Sequence, residues 1–364
     1  MTTTTPLDLT ADLTTLTARV CDIASVSGDE AALADAVEAA LAAYPHLEVL
    51  RDGDTVVART HLGRASRVVV AGHLDTVPVA GNLPTRLEGE GEDAVLWGRG
   101  TVDMKGGVAV QLALAASLTA PTRDVTWVFY DHEEVDASLS GLGRVVRRHP
   151  EWLEADFAVL GEPTDAGLEG GCNGTLRAEV RVTGVAAHSA RAWTGVNAIH
   201  AAAPVLARLA AYEPASVEVD GLVYREGLNA VLISGGVATN VVPDRCVVTV
   251  NYRFAPSRTV AEATAHVEEL FAGFEVVVTD AAGGARPGLD DPAAAEFAAA
   301  VLGVTGGAPA PKYGWTDVAR FAELGIPAVN FGPGDPLLAH KDDERLPVAQ
   351  LVLCHEALRA WLTA

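Results

Sequence analysis

Val68-Val69-Val70-Ala71 runs without a polar break into Gly72-His73-Leu74-Asp75-Thr76-Val77-Pro78. The apolar run reads as a buried strand. Two positions apart on a strand, His73 and Asp75 share a face. There the Asp75 carboxylate can accept one imidazole N–H while the other ring nitrogen binds a metal. Pro78 stops the strand and leaves the pair at its carboxyl end, where open α/β sheets place their ligands.

The flanking patterns define the sheet that holds this strand. Apolar residues at helical spacing predict helices over residues 9–24 and 30–43, with Ser27 or Asp29 as N-cap of the second. Strands are expected at 48–50, 55–59, 67–71, 95–97, 125–130 and 156–160, with helices over 103–118 and 141–148 between them. This alternation argues for an α/β fold, a mixed sheet with helices on both faces. The pattern then changes to strand 177–183, helix 197–211, strands 230–237 and 245–254, helix 260–271 and strand 274–279. A β-α-β-β-α-β order is that of a ferredoxin-like module. Residues 283–288 form a Gly- and Pro-containing linker. Helices over 293–302, 318–324 and 348–362 and a strand at 328–331 then resume the first pattern. The expected division is a domain of residues 1–175 and 286–364, with residues 176–285 inserted into it.

The 364 residues carry 48 acidic and 26 basic side chains, a net charge of −22. No basic patch offsets that field, so nucleic acid is not expected as a partner. Residues 1–9 lack a basic start and an apolar core, so no signal peptide is expected. The longest weakly polar stretch, residues 106–120, is too short to span a bilayer and contains Gln111 and Ser117, so no membrane contact is expected. Cys21, Cys172, Cys246 and Cys354 are scattered and form no CxxC pair. Neither a zinc knuckle nor a disulfide framework is indicated, and a reducing cytoplasm fits.

Four further candidate ligands follow strand ends or turns. Gly98-Arg99-Gly100-Thr101-Val102-Asp103 delivers Asp103 to the start of a helix, and its glycines permit an unusual backbone there. Asp131-His132-Glu133-Glu134 ends an apolar strand. Neighbouring residues on a regular strand face opposite ways, so Glu133 and Glu134 can serve one site only where the backbone turns. Pro163 keeps Glu162 extended at the end of another strand. His340 lies in a polar loop. Taken singly, these residues fit capping or surface roles. Together they form an N/O donor set suited to Zn²⁺, Co²⁺ or Mn²⁺.

With GHLDTVP, GRGTVDMKGG, the paired glutamates, GEPT and the late histidine in place, the chain resembles the dinuclear zinc aminoacylases and carboxypeptidases of peptidase family M20. The resemblance spans nearly the whole chain. It implies a zinc-peptidase-like catalytic domain and an inserted ferredoxin-like lid and dimerisation domain. It implies two Zn²⁺ per subunit, one held by His73 and Glu162, the other by Glu134 and His340, with Asp103 bridging. Asp75 would orient His73, and Glu133 would be the general base. His188 would steady the oxyanion across a homodimer. Asn240, Arg253, Gly314 and Thr316 would bind substrate. The stretches GWTDVARF, NFGPGD and AHKDDER match a subgroup for which the implied substrate is a small N-succinylated amino acid. An N-acetylated amino acid, or the substrate of another aminoacylase or carboxypeptidase of the family, is the alternative. Val135–Ser138 and Gly314–Asp317 depart from the family pattern.

Overall fold

The computed structural model describes residues 6–364. These form two compact units. One comprises the described residues up to Gly170 together with Gly288–Ala310 and Arg320–Ala364; the other comprises Gly171–Pro287 and Pro311–Ala319. The reading of residues 1–9 falls partly outside the described residues. No helix among the described residues is long and apolar enough to cross a membrane.

The first unit is built on an eight-stranded mixed sheet with helices on both faces. Its strand order is Glu48–Asp52, Thr55–Arg59, Asp124–Tyr130, Arg67–His73, Phe157–Leu160, Ala328–Asn330, Glu169–Gly170 and Ala310–Pro311. The four central strands run parallel. Val68–Ala71, Val125–Tyr130 and Phe157–Leu160 are all buried, as expected of a sheet covered on both sides. Because these strands are parallel neighbours, their carboxyl ends share one edge. His73 closes one strand, Asp131–Glu134 follows the second, and Glu162 follows the third.

Helix starts shift from the expected ones: Leu13–Asp22 begins four residues late, and two other shifts bear on the site. Ala31–Leu41 is not capped by Ser27 or Asp29. Its first turn begins at Glu30, whose carboxylate instead accepts the N–H of Gly28 and of His132. The buried helix Lys105–Ser117 starts two residues later than the spacing predicts, after a cis peptide at Asp103–Met104. Asp103 therefore precedes the helix and does not cap it. The helix lies close to the strand ends because Gly107 has no Cβ, and one there would run into the carbonyl oxygen of Gly161. Its one buried amide, Gln111, donates to the carbonyl of Ala71.

A small antiparallel sheet anchors the loop that carries the late histidine. Arg345–Pro347 pairs with Val95–Trp97, which also pairs with Arg86–Glu88. The register sets Arg345 opposite Trp97, so the loop before the first strand meets the loop after the second. Gly98 N–H donates to the carbonyl of Glu344 at 3.0 Å.

The second unit contains a four-stranded antiparallel sheet in the order Gly227–Gly235, Arg245–Phe254, Gly174–Thr183, Glu275–Ala282. With Ala198–Ala201, Ala203–Ala210 and Val260–Leu270 between the strands, this is the ferredoxin-like arrangement. Inward side chains such as Leu176, Ala178, Val180, Val248 and Val250 alternate with outward ones. The helix expected over 197–211 is split, because Pro204 has no N–H to continue the ladder.

Candidate metal centre

The shared strand edge gathers the candidate ligands. One donor atom each from His73, Asp103 and Glu162 lie within 4.8 Å of one another, as do atoms of Asp103, Glu134 and His340. Asp103 belongs to both groups. Its Oδ1 is 3.1 Å from Nε2 of His73, and its Oδ2 is 3.3 Å from Nε2 of His340. His340 Nε2 is also 3.0 Å from the Glu134 carboxylate. One aspartate thus faces a histidine with each oxygen. Glu133 forms a third group with His73 and Glu134, close enough to act on the same centre.

Each imidazole and carboxylate feels its neighbours. Burial alone would lower the pKa of His73, but the carboxylates of Asp103 and Asp75 hold it well above the usual histidine value. His340 is raised to about 10 because its ring donates to the carboxylates of Asp103 and Glu134. Burial would raise Asp103, yet the two histidines keep it far below the carboxylate range. Glu134 is raised, chiefly by burial. Like-charged carboxylates held this close call for positive charge between them. Two imidazoles and three carboxylates at these separations suit divalent cations of the Zn²⁺, Co²⁺ and Mn²⁺ type, and the donor set fits two ions sharing Asp103.

Asp75 does more than face His73. Nδ1 of His73 is 3.0 Å from the backbone carbonyl of Asp75 and 3.5 Å from its Oδ1, so the carbonyl is the nearer acceptor. The carboxylate is engaged elsewhere. Oδ1 accepts the N–H of Glu133, and Oδ2 accepts the N–H of Glu134, both at 3.0 Å. Ser27 Oγ donates to Oδ2 at 2.7 Å. Burial would raise the Asp75 pKa, but His73, Ser27 and the Glu133 N–H hold it at about 2. His132 has left-handed φ (58°), so the backbone turns just before the two glutamates, and both reach His73.

The remaining candidates lie in the second unit. His188 sits on Ala187–His188, paired with Val241–Val242, and is exposed. Its Nδ1 accepts the N–H of Ala190, which leaves the proton of a neutral ring on Nε2. The pairing brings Asn240 beside it: Ser189 N–H donates to the Asn240 carbonyl. Arg253 is on Arg245–Phe254, where its Nε donates to Asn251. Gly314 and Thr316 lie in one loop. Thr316 is buried and its carbonyl is 3.7 Å from the Cys172 thiol. The sequence suggests only a capping role for Ser27 and no role for Arg99 or Glu344. The only trace was a charged residue inside GRG and another four places after His340.

Residues 69–364 match the model of peptidase family M20/M25/M40. Over 359 residues the chain is 56% identical to a Mycobacterium tuberculosis protein named for succinyl-diaminopimelate desuccinylase, covering 98% of this chain and 99% of that one. It is 48% identical to the succinyl-diaminopimelate desuccinylase of Corynebacterium glutamicum, covering 98% of each. A solved structure of a tripeptidase from Staphylococcus aureus matches with a TM-score of 0.76 at 20% identity over 98% of each chain, a likeness of fold.

Proposed function

Because the chain belongs to peptidase family M20/M25/M40, we propose that it hydrolyses the amide bond of N-succinyl-LL-2,6-diaminopimelate to succinate and LL-2,6-diaminopimelate. The observation that carries the chemistry is the Asp103 carboxylate set between His73 and His340, with Glu134 and Glu162 beside it. The substrate assignment draws on the full-length relatives at 56% and 48% identity.

His73, Asp103 and Glu162 would hold one Zn²⁺, and Asp103, Glu134 and His340 the other, with Co²⁺ or Mn²⁺ as substitutes. Ions bound there would supply Lewis acidity toward an amide carbonyl and would lower the pKa of water. Glu133 takes the proton of the attacking water and returns it to the leaving nitrogen. Asp75 fixes the backbone that presents Glu133 and Glu134. His188, with its proton on Nε2, donates to the developing oxyanion. Arg253 pairs with a substrate carboxylate, for which a planar guanidinium is well shaped. Asn240, Gly314 and Thr316 complete the substrate side.

A homodimer through the second unit is part of this reading. The edge strand Gly227–Gly235 leaves Val231, Leu232 and Ile233 exposed, and an uncovered apolar edge invites pairing. A cytoplasmic setting is supported by four buried, free cysteines. The deciding experiment is turnover of N-succinyl-LL-2,6-diaminopimelate against N-acetylornithine, with and without added Zn²⁺. Zinc-dependent preference for the succinylated substrate is expected. A higher kcat/KM for N-acetylornithine would make the chain a deacetylase instead.

A further inference from the structure

Glu344 stands four residues after His340, next to the strand Arg345–Pro347. Its side chain is 1% exposed. Oε1 accepts the backbone N–H of Val102 at 2.9 Å and that of Asp103 at 3.1 Å. Oε2 is 2.9 Å from Nη1 of Arg99, whose side chain is 3% exposed. Arg99 in turn donates from Nε to the carbonyl of Pro78 at 3.1 Å and from Nη1 to the carbonyl of Lys341 at 3.0 Å. Three chain segments therefore end on one buried ion pair. They are the segment that begins at His73, the loop that delivers Asp103, and the loop that carries His340.

Burying two charges is costly, and a well-packed apolar pair is often as stable or more so. Stability alone therefore does not call for this pair. An apolar pair, however, could not accept the Val102 and Asp103 N–H groups or tether the carbonyls of Pro78 and Lys341. Asp103 must offer one oxygen to each side of the centre, so a small rotation of its backbone would spoil both. His340 is held with left-handed φ (64°) in a loop whose next carbonyl, Lys341, is bound by Arg99.

Resting on the dinuclear hydrolase reading, we propose that Glu344, paired with Arg99, is a positioning residue for the metal centre. It sets the backbone of Asp103 and holds the His340 loop beside it. Neither side chain touches substrate or the reacting atoms.

The test uses Glu344→Ala and the double variant Arg99→Met/Glu344→Met, which fills the site with apolar side chains of similar length. Zn²⁺ affinity is measured by competition with a chromophoric chelator, and the geometry of the centre by the visible spectrum of the Co²⁺ form. Both variants should lose about 10–100-fold in affinity for at least one ion, with altered Co²⁺ bands and a similar fall in kcat. KM should change by less than about threefold, since substrate contacts are untouched. The double variant leaves the Val102 and Asp103 N–H groups without their acceptor, so its melting temperature should fall while it stays folded at the assay temperature; lost Zn²⁺ affinity and altered Co²⁺ bands in that folded protein are what a merely structural pair would not produce. Parental Zn²⁺ affinity and Co²⁺ spectrum in the double variant would overturn the proposal. That variant also decides the matter if Glu344→Ala does not fold. Both readouts need no substrate. Should the parent bind two ions but not hydrolyse the succinylated substrate, the function proposal fails while this one is still judged.

Discussion

The Asp75 carboxylate accepts the backbone N–H of Glu133 at 3.0 Å, and it takes the N–H of the next residue at the same distance with its other oxygen. A residue first read as the orienter of a histidine is thus also the clamp on the turn that presents both glutamates. Asp75→Ala should lower kcat by about 10–100-fold, as loss of support around a metal centre typically does. Steady-state kinetics checks this. If kcat stayed within twofold of the parent, the clamp would have no catalytic weight.

Glu133 is the proposed proton carrier and belongs to neither of the two ligand groups that share Asp103. Glu133→Ala should cost about 10²–10⁴-fold in kcat, the usual worth of a positioned acid–base group. Metal content measured by elemental analysis should remain at two ions per subunit. Near-normal turnover with both ions bound would remove Glu133 from the role.

His188 has its neutral-ring proton on Nε2 because Nδ1 accepts the Ala190 N–H. His188→Ala should lower kcat by about 10²–10³-fold, the cost of one oxyanion donor. Comparison of kcat with KM tests this. A variant with raised KM and unchanged kcat would make His188 a substrate-binding residue only.

Leu232 is 68% exposed on the edge strand Gly227–Gly235. A charge on such an edge opposes strand-to-strand association. Leu232→Asp should shift the protein from dimer to monomer in analytical ultracentrifugation while the chain stays folded. A parent that sediments as a monomer would sink the dimer proposal outright.

Asp124 accepts the N–H of Leu62 at 2.7 Å, the N–H of Arg64 at 3.0 Å and the hydroxyl of Thr60 at 2.9 Å. Burial pushes its pKa up, but these donors outweigh it and hold the value below the usual 3.8. A carboxylate with a lowered folded pKa adds stability that is present above its unfolded value. That stability is lost as the pH falls through the folded value. Asp124→Asn should therefore cost about 1–3 kcal/mol at neutral pH and flatten the loss of stability below about pH 4. Denaturant titrations across that range measure both effects. A parent and variant with parallel pH profiles would rule the linkage out.

Much of the site was legible because the strands obey local rules. Apolar runs ending at His73, Tyr130 and Leu160 mark strand ends, and the α/β alternation makes those strands parallel, so their candidate ligands meet at one edge. Ser27 was read as a helix cap because serine before an apolar helix usually is one. Its hydroxyl goes instead to Asp75, 48 residues away, a partner that no local pattern encodes.

The sequence by itself determined the two patterns of secondary structure, the strand-end positions of His73 and Glu162, and the chemical kind of the donor set. Spacing and polarity carry that information along the chain. Only the tertiary structure decided that Asp103 precedes its helix, that Asp75 holds the Glu133–Glu134 turn, and that Arg99 and Glu344 form the buried junction behind the centre. Those choices depend on which polar groups lack water once the core closes. Each buried N–H and charge must then find a partner wherever the fold has brought one, whatever the distance in sequence.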